Sequence, residues 1–226
     1  MEAYLDNSAT TRVDAQVQEL MKKLMDVDFG NPSSRHQKGV VAEGYIKEAR
    51  QKIAATLKVD PKEFIITSGG TESNNMALIG TALAAKRKGN HIITTAVEHP
   101  SVKATASFLE EQGFRITFLS VDSRGQISLE DLKKALTPDT ILVSIMYVNN
   151  EIGTIQPVEE AAKLVHATVP GAVFHVDAIQ AYGKVMIRPK QQGIDLLSVS
   201  SHKFHGPKGA GFLYCSSKVN LHPIIF

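Results

Sequence analysis

The sequence predicts a three-layer α/β/α sandwich built on a mainly parallel sheet. Three observations carry that prediction. Strand-like runs alternate with helical patterns of roughly ten residues or more, long enough to cross over between parallel strands. The strands are nearly continuous apolar runs such as "TILVSIM" and "IDLLSV", as expected where helices cover both faces of a sheet. No internal repeat, low-complexity tract or Gly/Ser linker breaks the alternation.

Taken in order, Val13, Val17, Leu20, Met21 and Leu24 follow helical spacing, as do Ile46, Ala49, Ile53 and Leu57. The turn "VDPKE" leads into the strand "FIIT", Phe64 to Thr67, and "SGGTESNN" then opens an amphipathic helix through about Arg87. "HIITT", a helix around Val102–Gln112 and the strand "FRITFL" come next. After "DSRGQ", Ser128 has the character of an N-cap for "LEDLKKAL". The strand "TILVSIM", a helix around Val158–Thr168, the strand "AVFHVD" and finally "IDLLSVSS" complete the pattern.

Composition narrows the function classes. The chain has 226 residues, 43% apolar and 21% charged, with a net charge of +2, which is ordinary for a globular protein with a sizeable core. Lys and Arg are scattered among Asp and Glu, so no basic stripe argues for nucleic acid. The apolar runs are too short to span a bilayer, and "MEAYLDNSATT" lacks the basic and apolar regions of a secretory signal. A single cysteine, Cys215, excludes an intramolecular disulfide and suits a reducing cytoplasm, the expected location. "NLHPIIF" finishes on bulky apolar residues, which leads to the expectation that the chain is truncated or that its end packs against something else.

In parallel α/β sheets, ligands bind beyond the carboxyl ends of the strands, so the residues just after each strand are the candidates. After "FIIT", Ser68-Gly69-Gly70-Thr71 opens a helix whose free N–H groups, with Gly70 and the Thr71 hydroxyl, suit one phosphate. The same residues also make a plain strand-to-helix turn capped by Thr71, and neither a Walker lysine nor a GxGxxG pattern is present. After "HIITT", His99 could stack on a planar ligand or carry protons, or simply enter a helix at Pro100. Asn149 and Asn150 after "TILVSIM" are turn residues or amide donors toward a phenolate-like oxygen. Asp177, followed by Gln180, caps the next helix or partners a buried cation. Ser200, His202 and Lys203 follow the last of these strands. There a largely buried lysine would have its pKa lowered and could bond to a carbonyl carbon as a free amine. His202 and His205 lack a third ligand at metal-site spacing, so no metal is expected. Together the strand ends supply a phosphate cradle, a ring-sized histidine, amide donors, a buried acid and a lysine, which is the set that pyridoxal 5′-phosphate requires.

The segments "YLDNSATT", "NPSSRH", "TSGGTESNN", "EHPSV", "VSIMYVNNEIGTIQP", "FHVDAIQAYGK" and "SSHKFHGPKGAGFLY" closely resemble, in order and across essentially the whole chain, the NifS/IscS-like cysteine desulfurases. These are the class V branch of the fold-type I pyridoxal phosphate enzymes. The resemblance implies that Lys203 bonds covalently to the cofactor and moves the substrate proton. By the same resemblance Asp177 partners the pyridine nitrogen, and His99 stacks on the ring and aids proton transfer. Gly70, Thr71, Ser200 and His202 resemble the phosphate cradle, Asn150 and Gln180 lie near the phenolic oxygen, and Asn31 and Asn150 belong to the substrate site.

The implied activity converts L-cysteine to L-alanine with the sulfur passed to an enzyme cysteine. That sulfur would feed Fe–S cluster or thionucleoside synthesis, through a scaffold or a tRNA-thiolation protein, in a homodimer. The family's nucleophilic cysteine and its substrate-gripping arginine lie downstream of the lysine motif, outside these residues. Cys215, in a strand-like run, is expected to be a packing residue. Residues 1–13 are then expected to belong with a small domain that is mostly missing, and residues 14–226 to form the large cofactor-binding domain. Without the downstream half, a selenocysteine lyase, a class V aminotransferase or a non-catalytic cofactor-binding remnant stay open as alternatives.

Overall fold

The computed structural model describes residues 3–226. Helices α1 (Ala15–Asp26) and α2 (Gln37–Leu57) precede strand β1 (Phe64–Thr67). The chain continues through α3 (Gly70–Ala85), β2 (His91–Thr95), α4 (Pro100–Glu111), β3 (Arg115–Leu119), α5 (Leu129–Ala135) and β4 (Thr140–Met146). Then follow α6 (Val158–Thr168), β5 (Val173–Asp177), the short α7 (Pro189–Gln192), β6 (Leu196–Ser200), a single 3₁₀ turn (Ser201–Lys203) and β7 (Gly211–Cys215).

The seven strands form one sheet in the order β1-β7-β6-β5-β4-β2-β3. Strand β7 runs antiparallel to both β1 and β6, while the pairs from β6 through to β3 are parallel. The side-chain period of two sorts each strand between two cores. Phe174 and Val176, Leu197 and Val199, and Phe212 and Tyr214 pack with α2, α5 and α6. Leu142, Leu196 and Leu213 pack with α3 and α4 on the other face. The sandwich therefore has its expected three layers. Leu78 of α3 is fully buried in the second core, a burial worth roughly 1.5–3 kcal/mol.

Local signals explain most boundaries. The Ser128 hydroxyl accepts from the Asp131 N–H and caps α5. Pro100 sits in the first turn of α4, and the His99 side chain accepts from the Ser101 N–H as its cap. Helix α3 ends at Ala85 rather than at Arg87, and α4 starts at Pro100 rather than Val102. Helix α1 starts after Asp14, whose carboxylate caps it, so Val13 lies outside it. Every residue of α1 is at least partly exposed, so its apolar spacing serves no core within these residues.

One crossover sets up the rest. Strand β1 lies at one edge, and α3 must deliver the chain to β2, on the far side of β7, β6, β5 and β4. Helix α3 accordingly crosses the sheet and touches β7, β6, β5 and β4. Its first turns end up over the carboxyl ends of β5 and β6. The segment before α1 is stitched to the turn after β6: the Thr11 and Asp14 N–H groups donate to the carbonyls of His202 and His205.

Candidate active site

The strand-end rule leads to a cavity of about 530 Å³. Its lining includes Gly70, Thr71, His99, Asn150, Asp177, Gln180, Ser200, His202 and Lys203, so nine of the ten candidate positions converge. Asn31 does not. It sits in the loop between α1 and α2, where its side-chain oxygen accepts from the Ser33 N–H, and it is outside the cavity lining.

Sheet register places the floor. Met146, Asp177 and Ser198 stand side by side on β4, β5 and β6, and Ser200 pairs with Gly211. Asp177 is 5% exposed. Burial, the largest influence, pushes its pKa up, and donors oppose that: the Ile179 N–H to Oδ1 at 3.0 Å and the Asn74 amide to Oδ2 at 2.8 Å. The charge of Lys203 acts in the same lowering direction.

The phosphate-sized end forms at the start of α3. Gly69 has φ +150°, a conformation that disfavours side chains, and it, not Thr71, holds the N-cap position. A Cβ on Gly70 would fall 2.1 Å from Cδ1 of Ile179, and one on Gly211 would fall 2.5 Å from the Val199 carbonyl oxygen. Packing against backbone therefore requires a bare position at Gly211, whereas at Gly70 the neighbour is the movable end of the Ile179 side chain. First-turn N–H groups of Gly70 and Thr71 have no intrahelical acceptor and carry the positive end of the helix dipole. Ser200 and His202 flank them. Burial, with the charges of Lys203 and Lys208, lowers the His202 pKa, so the ring enters as a neutral hydrogen-bonding group. His202 and His205 do not converge: their Nδ1 atoms face Thr10 Oγ1 and the Arg12 carbonyl.

Lys203 is half-buried rather than largely buried, because the turn after β6 carries it toward the open mouth. Its Nζ donates to the carbonyls of Ser8 and Ala9 at 2.6 and 2.8 Å. Burial and then the nearby Lys184 lower its pKa, while Asp6, Asp177 and Glu151 pull the other way. The Gln180 amide donates to the Ser8 carbonyl, so the N-terminal segment closes one side of the cavity.

Of the adjacent asparagines, one turns the chain and the other lines the cavity. Asn149 is buried and is the turn residue: its Oδ1 accepts from the Glu151 and Ile152 N–H groups, and its Nδ2 donates to the Val97 carbonyl. Asn150 faces the cavity. His99 likewise does two jobs, capping α4 and lining the cavity.

Sequence reading missed Asn74, Glu98 and Ser101. Asn74 lies one helical turn after Gly70 on α3 and is fully buried, but Ser73 and Thr81 are buried on the same helix, so a polar residue on the packed face did not single it out. Nothing local distinguishes Glu98 before His99 as the buried partner of the Met146 N–H.

The residues fit the group that the strand ends suggested. A cradle that a Cβ would fill, a buried acceptor across the cavity from it and an amine of lowered pKa at the mouth match a phosphate, a ring nitrogen and an aldehyde carbon.

A family model described as Aminotransferase class-V matches residues 3–226. Curated relatives include a protein described as cysteine desulfurase IscS from Dictyoglomus turgidum, 50% identical over 224 residues, covering 99% of this chain and 56% of the relative. Another, described as putative cysteine desulfurase IscS 1 from Bacillus subtilis, is 50% identical over 223 residues, covering 99% of this chain and 58% of the relative. Among solved structures, a NifS-like protein superposes with a TM-score of 0.97 at 43% identity, over 100% of this chain and 62% of that one. SspA in complex with cysteine gives 0.95 at 39% identity, over 99% of this chain and 65% of that one. The chain thus spans a little over half the length of the curated relatives it matches.

Proposed function

The chain belongs to the aminotransferase class-V family, whose members depend on pyridoxal phosphate, and from that premise we propose that it is the large, cofactor-binding part of a cysteine desulfurase. The reaction would convert L-cysteine and a protein thiol to L-alanine and a protein persulfide. The sulfur carried on that thiol would go on to a scaffold or thiolation partner in the cytoplasm, from a homodimer. Residues 14–226 would form the large domain and residues 1–13 would belong with the remainder. Relatives described as cysteine desulfurases at about half identity support the substrate.

The single observation that carries the reading is the pairing, in one cavity, of a buried Asp177 with a lowered-pKa Lys203 and a bare helix N-terminus. When bound, the cofactor supplies an electron-withdrawing ring that makes the substrate's Cα–H acidic. The α3 N-terminus, Thr71, Ser200 and His202 would hold its phosphate, and Asn150 and Gln180 would donate near its phenolic oxygen. Asp177 would accept the N–H of the ring nitrogen and so keep it positively charged. Lys203 would hold the cofactor covalently and, once released, take the proton from the substrate's Cα at its Nζ. A lowered pKa suits that role, because the free amine is the form that acts. His99 would lie against the ring face.

The test is direct. Borohydride treatment of the protein with pyridoxal phosphate should add the reduced cofactor's mass to the peptide containing Lys203, and Lys203→Ala should abolish the adduct. No adduct at Lys203 in the wild-type chain overturns the proposal.

A further inference from the structure

Asn74 lies at the centre of a hydrogen-bond relay that joins two sides of the cavity. Its side chain is fully buried on α3. Both amide hydrogens of Nδ2 are used, one donated to Asp177 Oδ2 at 2.8 Å and one to Ser101 Oγ at 3.0 Å. A hydroxyl that accepts in this way keeps its own hydrogen to donate, and His99 Nδ1 lies 2.8 Å from it. The Ser101 N–H donates to the same ring nitrogen at 3.1 Å. Two donors converging on Nδ1 make it the acceptor, which leaves Nε2 as the ring nitrogen that carries the N–H.

The orientation of the amide is also set. Turning it over would aim Oδ1 at a carboxylate and leave the Ser101 oxygen without a donor. As it stands, Oδ1 of Asn74 is buried with no partner among the described residues. A side chain chosen for packing alone would not leave an orphaned carbonyl in the core. The donor end is what the site requires.

We propose that Asn74 is a positioning residue that fixes two groups of the cavity at once, holding the Asp177 carboxylate as an acceptor and, through Ser101, holding His99 in its Nε2–H form. The inference rests on the reading of Asp177 as the partner of the cofactor's ring nitrogen. A carboxyl group buried at this depth tends to take up a proton, and a protonated Asp177, though still able to offer its carbonyl oxygen, would lack the negative charge that keeps the ring nitrogen protonated. Asn74 opposes that tendency from the protein side before any cofactor arrives. It does so from α3, the helix whose first residues form the phosphate cradle, so one rigid element sets the spacing between both ends of the bound ring system.

The test reads the cofactor-free chain. A carboxyl-carbon NMR titration, with Asp177 assigned through Asp177→Asn, should show the Asp177 midpoint move upward by about one pH unit in Asn74→Leu, a tenfold rise in proton affinity. Where the leucine variant does not fold, Asn74→Ala gives the same readout. Long-range proton–nitrogen spectra of His99 should show the Nε2–H form in the wild type and a measurable Nδ1–H population in Ser101→Ala, whose Asp177 midpoint should stay put. An unmoved Asp177 midpoint in a folded Asn74 variant overturns the proposal, as does a His99 tautomer unaffected by Ser101→Ala. Because these measurements need no cofactor, a missing adduct at Lys203 would remove the proposed function without deciding this one.

Discussion

Glu98→Gln should remove a pH dependence from the stability of the fold. The Glu98 side chain is 2% exposed, between the end of β2 and the end of β4. Its Oε1 accepts from the Met146 N–H and the Thr95 hydroxyl, each at 2.8 Å, while Oε2 has no partner among the described residues. Burial pushes its pKa from 4.5 up to about 8, and the Asp177 charge adds to the rise against the opposing donors. The native protein therefore keeps a proton on Glu98 at neutral pH, whereas the unfolded chain releases it above about pH 4.5. The stability tied to that proton is fully present below the unfolded value and is lost as pH climbs toward the folded one. Each pH unit inside the window is worth about 1.4 kcal/mol, so from about pH 5 to about pH 7 the wild type should lose about 2.5 kcal/mol relative to Glu98→Gln. Glutamine keeps the acceptor oxygen and cannot ionise. His91 and His175, lowered to about 4 and about 3 chiefly by burial, contribute the opposite trend, with stability present above their ordinary value and lost as pH falls. They do so in both proteins, and the difference isolates Glu98. Urea unfolding of the pair across this range is the assay, and parallel curves would sink the reasoning.

Two further expectations come from the same geometry. Gly70→Ala should change stability by less than about 1 kcal/mol, because the clash falls on the movable tip of Ile179, yet it should weaken cofactor binding by crowding the cradle. Gly211→Ala should instead cost about 1–3 kcal/mol in unfolding measurements, since its Cβ meets the Val199 carbonyl and the Gly69 backbone, which cannot step aside; a reversed ranking of the two variants would refute the distinction. Cys215 should react with iodoacetamide near neutral pH far more slowly than a free cysteine, with burial holding its thiol up to about 11. Rapid labelling of the folded chain would contradict that environment.

Most of the fold was legible because its signals are local. "FIIT", "HIITT" and "TILVSIM" match β1, β2 and β4 residue for residue. Strands β2 and β4 are buried on both faces and so are written as short β-rich runs, while β1 is an edge strand with Ile66 exposed and is marked off by the flanking turns. Boundaries slipped where a terminus is set by contacts instead, as at the end of α3. The strand-end rule recovered nine of ten candidate positions because each directly follows a strand or opens the next helix. Asn31 follows no strand and came only from resemblance. The residues behind the site were illegible for a different reason: Asn74 meets Asp177 across a separation of 103 residues, through a crossover whose path is a property of the whole sheet. The N-terminal segment is the same case, reaching the Lys203 amine with the carbonyls of Ser8 and Ala9, whose identity as backbone leaves no mark in side-chain pattern.

The sheet also decides what Cys215 cannot do. Strand β7 begins at Gly211, beside Ser200 and the cradle, and runs away from it, so that Cys215 pairs with Leu196 at the far end of β6. Four residues of strand separate those ends, about 13 Å. The thiol is half-buried against the carbonyls of Ser216 and Val219 and lines a different cleft from the one holding Lys203. With its pKa near 11, roughly one molecule in ten thousand carries a thiolate at neutral pH. Position and protonation both set it apart from the cavity that Asp6, Asn150, Glu151 and Lys203 line. Cys215 faces the other end of the sheet.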